Sequence, residues 1–177
     1  MSAGSRSPIE RIGWVGLERL VEEQDRKKVV RLLEGYSRLL EMIADSFPLA
    51  AVLDELMLVL EEQVDGMSCS VLLLSPDGTK LVHGAAPSLP ERYNRAVDGL
   101  AIGPLAGSCG TAAFLRAPVV VCDIATDPRW VDYRELALEE GLRACWSTPI
   151  FSADGGLLGT FAMYHHQPFR RRRCTSA

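Results

Sequence analysis

The chain has no CxxC pair and no even set of cysteines; its five stand apart at positions 69, 109, 122, 145 and 174. A disulfide framework or a cysteine-rich zinc site needs regular spacing, so neither is indicated. Cys69, Cys122 and Cys145 lie inside apolar strand patterns, and free thiols in a reducing, cytoplasmic setting are the expectation. No run approaches the roughly 20 apolar residues of a membrane-spanning helix, and charges interrupt the N-terminal apolar stretch every few residues. A soluble protein without a membrane partner is expected. A basic excess is missing as well. The 19 lysines and arginines face 23 acidic residues, and four of the basic residues are Arg170 to Arg173. The acidic body that remains repels phosphates, which excludes nucleic acid as a partner of the folded part.

What is present is 177 residues, 47% of them hydrophobic. That is one domain's length, able to bury about 70% of its unfolded surface without staples. Residues 1–8 are too polar to order themselves. Gly13 and Gly16 weaken any helix around them by about 1 kcal/mol each, so helix is expected from about Leu17. From Val29 the pattern sharpens. Val29, Leu32, Tyr36, Leu39 and Ile43 recur at 3,4,3,4 spacing, with Val30, Leu33, Leu40, Ala44 and Phe47 as a parallel stripe. So wide an apolar face can cover a sheet and still offer a seam to a second copy. A homodimer through Val29, Leu32, Tyr36, Leu39 and Ile43 is expected. Ser46 and Pro48 interrupt the chain, and a second helix runs from Leu49 to Val64.

Strands are expected over Cys69–Leu74, Leu81–Ala86, Leu100–Ile102, Val119–Ile124, Arg143–Phe151 and Leu157–His166, with turns at Ser75-Pro76-Asp77-Gly78 and Asp154-Gly155-Gly156. Short helices are expected over Pro90–Val97 and Thr111–Leu115. A third has Asp132 and Glu135 at capping-box spacing and ends at Gly141. Helices followed by a strand-rich body give α+β with an antiparallel sheet. The segments divide as 1–28 flexible N-terminus and helical lead-in, 29–168 folded domain and 169–177 disordered basic tail.

Gly107-Ser108-Cys109-Gly110-Thr111-Ala112-Ala113, Val119 to Ile124, Asp127-Pro128-Arg129-Trp130, Gly141 to Ile150 and Leu158 to Tyr164 stand in one order. Together they resemble the C-terminal two-thirds of a GAF domain of the bacterial sensor kinase and diguanylate cyclase type. The resemblance covers about Leu32 to Pro168 and is weakest from Pro87 to Leu100. It implies a central antiparallel sheet of five or six strands, with N-terminal helices on one face. On the other face it implies a ligand cavity roofed by residues 88–98 and 125–142. It names no cofactor. Members usually continue into a helix that carries the signal onward, whereas this chain ends in Arg170 to Ala177; the expectation is that the output half is absent or that this is a fragment, with a downstream kinase or cyclase domain as a candidate partner.

Cys109 sits between two glycines where a helical turn should begin, a place where unpaired N–H groups can lower a thiol's pKa. It reads either as a nucleophile or redox sensor, or as a small residue needed where the loop folds on the sheet. Free methionine-(R)-sulfoxide reductases are GAF domains with a similar Cys-Gly-Thr-Ala turn and further cysteines in the cavity loop. Here that loop is Ala125 to Trp130 and has none. No Cys-His pair exists for a bilin, and the cyclic-nucleotide signature cannot be placed over Asp123 to Glu140. His165 and His166 are adjacent on a strand and point to opposite faces, against a metal site. Binding is expected instead from Cys109, Thr111, Asp123, Asp127, Trp130, Tyr133 and Trp146. The tryptophans serve as apolar walls or as latches, and the carboxylates orient a small polar ligand or cap turns. The chain reads as a sensory module signalling through N-terminal helices in a homodimer. Sulfoxide reduction through Cys109 and a purely structural dimerisation module are the alternatives.

Overall fold

The computed structural model describes the backbone of residues 8–169 and the side chains of Glu23 and residues 26–169. The expectations for the first seven residues and for the tail beyond Phe169, Cys174 included, lie outside these. Helix α1 runs from Pro8 to Ala44, nine residues earlier than Leu17. Proline suits a first turn, where its missing N–H would be unpaired anyway, and the glycine penalties do not break the helix. α1 ends in a Schellman motif. Ser46 takes φ 57°, its N–H donates to Ile43 O, and the Phe47 N–H donates to Met42 O. Pro48 then opens α2, Leu49–Glu61.

α1 lies on α2 through a close approach at Gly35, where an added Cβ would stand 2.6 Å from Val59 Cγ2. Arg38 Nε donates to Glu55 Oε1 at 2.8 Å beside this contact. Leu39 is buried here at 7% exposure, while Leu40 is 62% exposed. The stripe left open on α1 is therefore Val29, Leu33, Tyr36, Leu40 and Ile43, at 4,3,4,3 spacing, with the exposed Phe47 just beyond the helix end. This corrects the expected seam at two positions. Leu39 is turned inward because Gly35, one turn earlier, draws α1 onto α2, and Leu32 is half-buried.

Among the described residues six strands follow: β1 Met67–Leu74, β2 Lys80–Ala85, β3 Leu100–Ala101, β4 Val119–Val121, β5 Ala144–Phe151 and β6 Leu157–His165. They form one sheet in the order β3-β2-β1-β6-β5-β4, every pair antiparallel. β4 ends at Val121, three residues short of expectation, because Asp123 turns the chain. β6 lies close to β1 because Gly159 has no side chain; a Cβ there would be 2.2 Å from Leu72 O.

α2 covers one face of the sheet with Met57, Leu53, Leu56 and Leu60 against Cys69, Val71, Phe161 and Met163. The other face carries the larger core. It lies under α3 (Glu91–Val97), α4 (Gly107–Leu115), the 3₁₀ turn Pro128–Trp130 and α5 (Arg134–Glu139). α4 begins at Gly107, four residues before the expected turn, and α5 has no side-chain cap. The capping box read at Asp132 does not form, since Tyr133 takes the cap position. No helix among the described residues is long and apolar enough to cross a membrane.

Candidate functional site

α4 starts with Gly107 at φ 61° and lies so close to β3 that a Cβ on Gly110 would be 2.6 Å from Ala101 O. Small residues let the helix sink, and Gly107 through Ala113 are all buried. Cys109 is thereby pressed onto the sheet, where β6 and β5 present alternate residues to it. Tyr164 and Thr160 point to this side from β6, and Cys145 and Ser147 from β5. The Cys109 thiol lies 3.9 Å from the Tyr164 hydroxyl, and the Ser147 and Thr160 hydroxyls also face it.

Burial pushes the Cys109 thiol up, and the hydroxyls of Ser147, Thr160 and Tyr164 oppose this only in part. The expected lowering by the helix start does not prevail, because taking the thiolate out of water costs more. Burial also raises Cys145 and, together with the Glu61 charge, Cys69, which reaches about 12. These three are free thiols of the interior. Cys122 is half-buried just past β4, outside both cores, and is disulfide-bonded, which corrects the expectation of free thiols there.

Above Cys109 lies a cavity of about 10 Å³, room for a single water at most. Its walls are Leu72, Val97 and Leu100, the rings of Tyr93, Trp130, Tyr133 and Tyr164, and the α4 start at Gly107, Ser108 and Cys109. Trp130 Nε1 donates to Ser108 Oγ at 3.1 Å. Tyr93 meets Tyr164 edge-on, with ring centroids 5.8 Å apart, and Ser70 Oγ donates to Tyr164 OH at 3.4 Å. Burial holds the phenols of Tyr93 and Tyr164 well above their usual range, so both are neutral at physiological pH.

Of the seven residues expected at the site, Cys109, Trp130 and Tyr133 line this cavity. Thr111 is buried but does not line it, and its hydroxyl donates to Pro104 O. Asp123 and Asp127 serve the roof instead. Asp123 Oδ1 accepts from the Ala125 N–H, and Asp127 Oδ1 accepts from the Arg129 N–H at the 3₁₀ turn. Arg134 ties α5 to the same loop by donating to Ile124 O and Asp127 O. Trp146 pairs with Met163 on the α2 side of the sheet and is 42% exposed. It stands one residue from Cys145, and a strand sends neighbours to opposite faces. Tyr93, Ser108 and Tyr164 were not anticipated. The period-2 pattern of β6, which puts Tyr164 in step with Ala162, and the Tyr93–Val97 spacing in α3 were the available signals. Among the described residues no three His, Cys, Asp or Glu side chains cluster as metal ligands.

A sheet with helices on one face and a roofed cavity on the other is shared by many proteins, and the sequence itself decides among them. A family model for the GAF domain matches residues 48–177. The chain belongs to the GAF domain family. Over 149 residues this GAF domain is 39% identical to the methyl sulfide methyltransferase-associated sensor of Methanosarcina acetivorans. The match takes in 82% of this chain and 14% of that protein, so the chain spans about one-seventh of the relative's length. Among solved structures, the GAF domain of a phosphoenolpyruvate-protein phosphotransferase from Coxiella burnetii superposes with a TM-score of 0.60 at 19% identity, covering 80% of this chain and 82% of that one. Free methionine-R-sulfoxide reductase from Neisseria meningitidis, solved with its substrate, gives 0.58 at 22%, covering 79% and 77%. Both share the fold.

Proposed function

We propose that this GAF domain, over residues 29–168, is a cytoplasmic, non-enzymatic sensory module of a signal-transduction protein. A small molecule binds under the Ala125–Tyr133 loop, and α1 passes the change on in a homodimer to an output domain of the kinase or cyclase kind. The observation that carries this reading is the two-faced first helix. One face packs on α2 through Gly35 and Leu39, while Val29, Leu33, Tyr36, Leu40 and Ile43 stay open at heptad spacing. A helix of 37 residues with such a stripe finds in a second copy the burial that α2 does not supply. The sensor among its relatives supports the same role.

Binding acts on the output only if the ligand prefers one arrangement of the loop. The loop meets α4 at the Trp130–Ser108 hydrogen bond, and Cys109 on α4 meets Tyr164, which is bonded to Ser70 on β1. Next to Ser70, the Cys69 N–H donates to Glu61 at the end of α2. A shift of the roof thus has packed neighbours all the way to the helical face.

The reductase alternative gains little support from the thiols. A thiol raised by burial is a poor nucleophile at neutral pH, and the roof loop carries no partner cysteine. A structural dimerisation module is the second reading, favoured by the small cavity. Native mass spectrometry tests these together. A dimer releasing a small mass on denaturation is expected, a bare dimer favours the structural module, and a bare monomer overturns the sensory reading.

A further inference from the structure

Among the described residues charge is absent from the cavity wall: no lysine, arginine, histidine, aspartate or glutamate lines it. The polar groups that do face inward are hydroxyls and a thiol, uncharged at neutral pH, and burial pushes Tyr93, Cys109 and Tyr164 further from ionising. An ion entering here would lose its water and find no counter-charge, a cost of several kcal/mol. The Thr160 hydroxyl, fully buried beside Cys109, makes no well-formed hydrogen bond among the described residues.

Three of the four rings around the cavity are fastened. Tyr164 is held by Ser70 and Cys109, Trp130 by Ser108, and Tyr93 by its edge-on contact with Tyr164. Tyr133 differs. It is only half-buried, stands at the cap of α5, and its hydroxyl takes part in no hydrogen bond among the described residues. Moving its ring into solvent breaks no hydrogen bond and vacates the space of one phenol ring.

We propose that the cavity takes an uncharged molecule of about one ring, carrying a single hydrogen-bonding group, with Tyr133 as the wall that swings aside. The ring of the ligand takes the place of the Tyr133 ring in the cavity that Leu72, Val97, Leu100 and Tyr93 also line, and its polar group meets the hydroxyls and thiol around Cys109. This rests on the ligand-sensing reading and adds the ligand's chemistry to it.

Three probes of one size and different charge test it. At pH 7 phenol is neutral, benzoate anionic and benzylamine cationic. Each is titrated calorimetrically into the wild-type chain and into Tyr133→Ala, which empties the wall position and leaves a ring-sized apolar hollow of the kind that takes up benzene. Phenol is expected to bind both, about tenfold more tightly to Tyr133→Ala because no wall has to be displaced. Benzoate and benzylamine are expected to bind on the order of 100-fold more weakly, for want of a counter-charge. Tyr133→Phe keeps the ring and should bind phenol as the wild type does; equal tightening in Tyr133→Phe and Tyr133→Ala overturns the role of the ring. Charged probes that match phenol, or phenol that binds neither protein, overturn the proposed class. A charged small molecule found in the native mass spectrum would do the same while leaving ligand sensing intact.

Discussion

Trp130 and Ser108, 22 positions apart, are joined by a buried hydrogen bond of 3.1 Å from the indole Nε1 to the serine Oγ. It fastens the roof of the cavity to the helix beneath. Removing either partner strands the other, since a buried donor or acceptor left alone costs about 1–3 kcal/mol. Trp130→Phe and Ser108→Ala should therefore each lower stability in that range. The double variant should lose less than the sum, by about 1 kcal/mol, in urea unfolding. Strict additivity would mean the bond holds nothing.

Neighbouring leucines on α1 should behave in opposite ways. Leu40→Glu places a charge on the open stripe and should weaken dimerisation at least about tenfold, read by sedimentation velocity, with little change in protomer stability. Leu39→Ala removes a side chain buried against α2 and should cost about 2–5 kcal/mol of stability instead. An unchanged dimer in Leu40→Glu would remove the seam.

The fold was legible because its signals are local and repeated. A nearly continuous apolar run marked β1, and turn chemistry at Asp77-Gly78 and Asp154-Gly155-Gly156 marked the β1–β2 and β5–β6 hairpins. The site was legible only in part. Small residues around Cys109 announced a close approach, but which face of the sheet Trp146 occupies depends on the register of β5 on β6. That is a tertiary fact, and one residue of slip reverses it. Likewise Leu39 and Leu40 are equally apolar, and only the missing Cβ at Gly35, opposite Val59, turns Leu39 inward. Asp123 and Asp127 were legible as turn formers or as ligand groups, and loop closure claimed both.

Alkaline pH should destabilise the fold. In the unfolded chain Cys69 ionises near the usual thiol value of about 8.5; in the folded chain burial and the Glu61 charge hold it up to about 12. Its folded pKa is raised, so the stability it contributes is complete below about 8.5 and is lost as pH rises towards 12. Cys109 and Cys145 are shifted the same way. The urea midpoint should fall above about pH 8.5, more gently in Cys69→Ala than in the wild type. The same burial predicts that a thiol reagent at pH 8 labels Cys69, Cys109 and Cys145 only as fast as the protein opens.

The acid side has its own group. The Asp77 carboxylate accepts from Ser75 Oγ at 2.6 Å and from the Thr79 N–H at 3.1 Å, which holds its pKa down to about 2. Because the folded value is depressed, its contribution is present above the unfolded value of about 3.9 and disappears as pH falls towards 2. Asp77→Asn should flatten the loss of stability in that window, as followed by circular dichroism. A profile identical to the wild type would show that the turn draws nothing from the charge.

Gly35→Ala tests the contact that gives α1 its two faces. Alanine is normally the better helix residue by about 1 kcal/mol, so an unconstrained site would be stabilised. Here the new methyl would stand 2.6 and 2.8 Å from the two γ carbons of Val59. Valine in a helix is held to one rotamer and cannot turn away, so α1 must shift outward. Overpacking of this kind costs about 1–3 kcal/mol, which outweighs the gain in propensity. The single variant should therefore be less stable than the wild type, and Val59→Ala should restore much of the loss when combined with it. Rescue would locate the strain at this pair; a stabilised Gly35→Ala would mean that the two helices can separate freely and that Leu39 is not held inward by their approach.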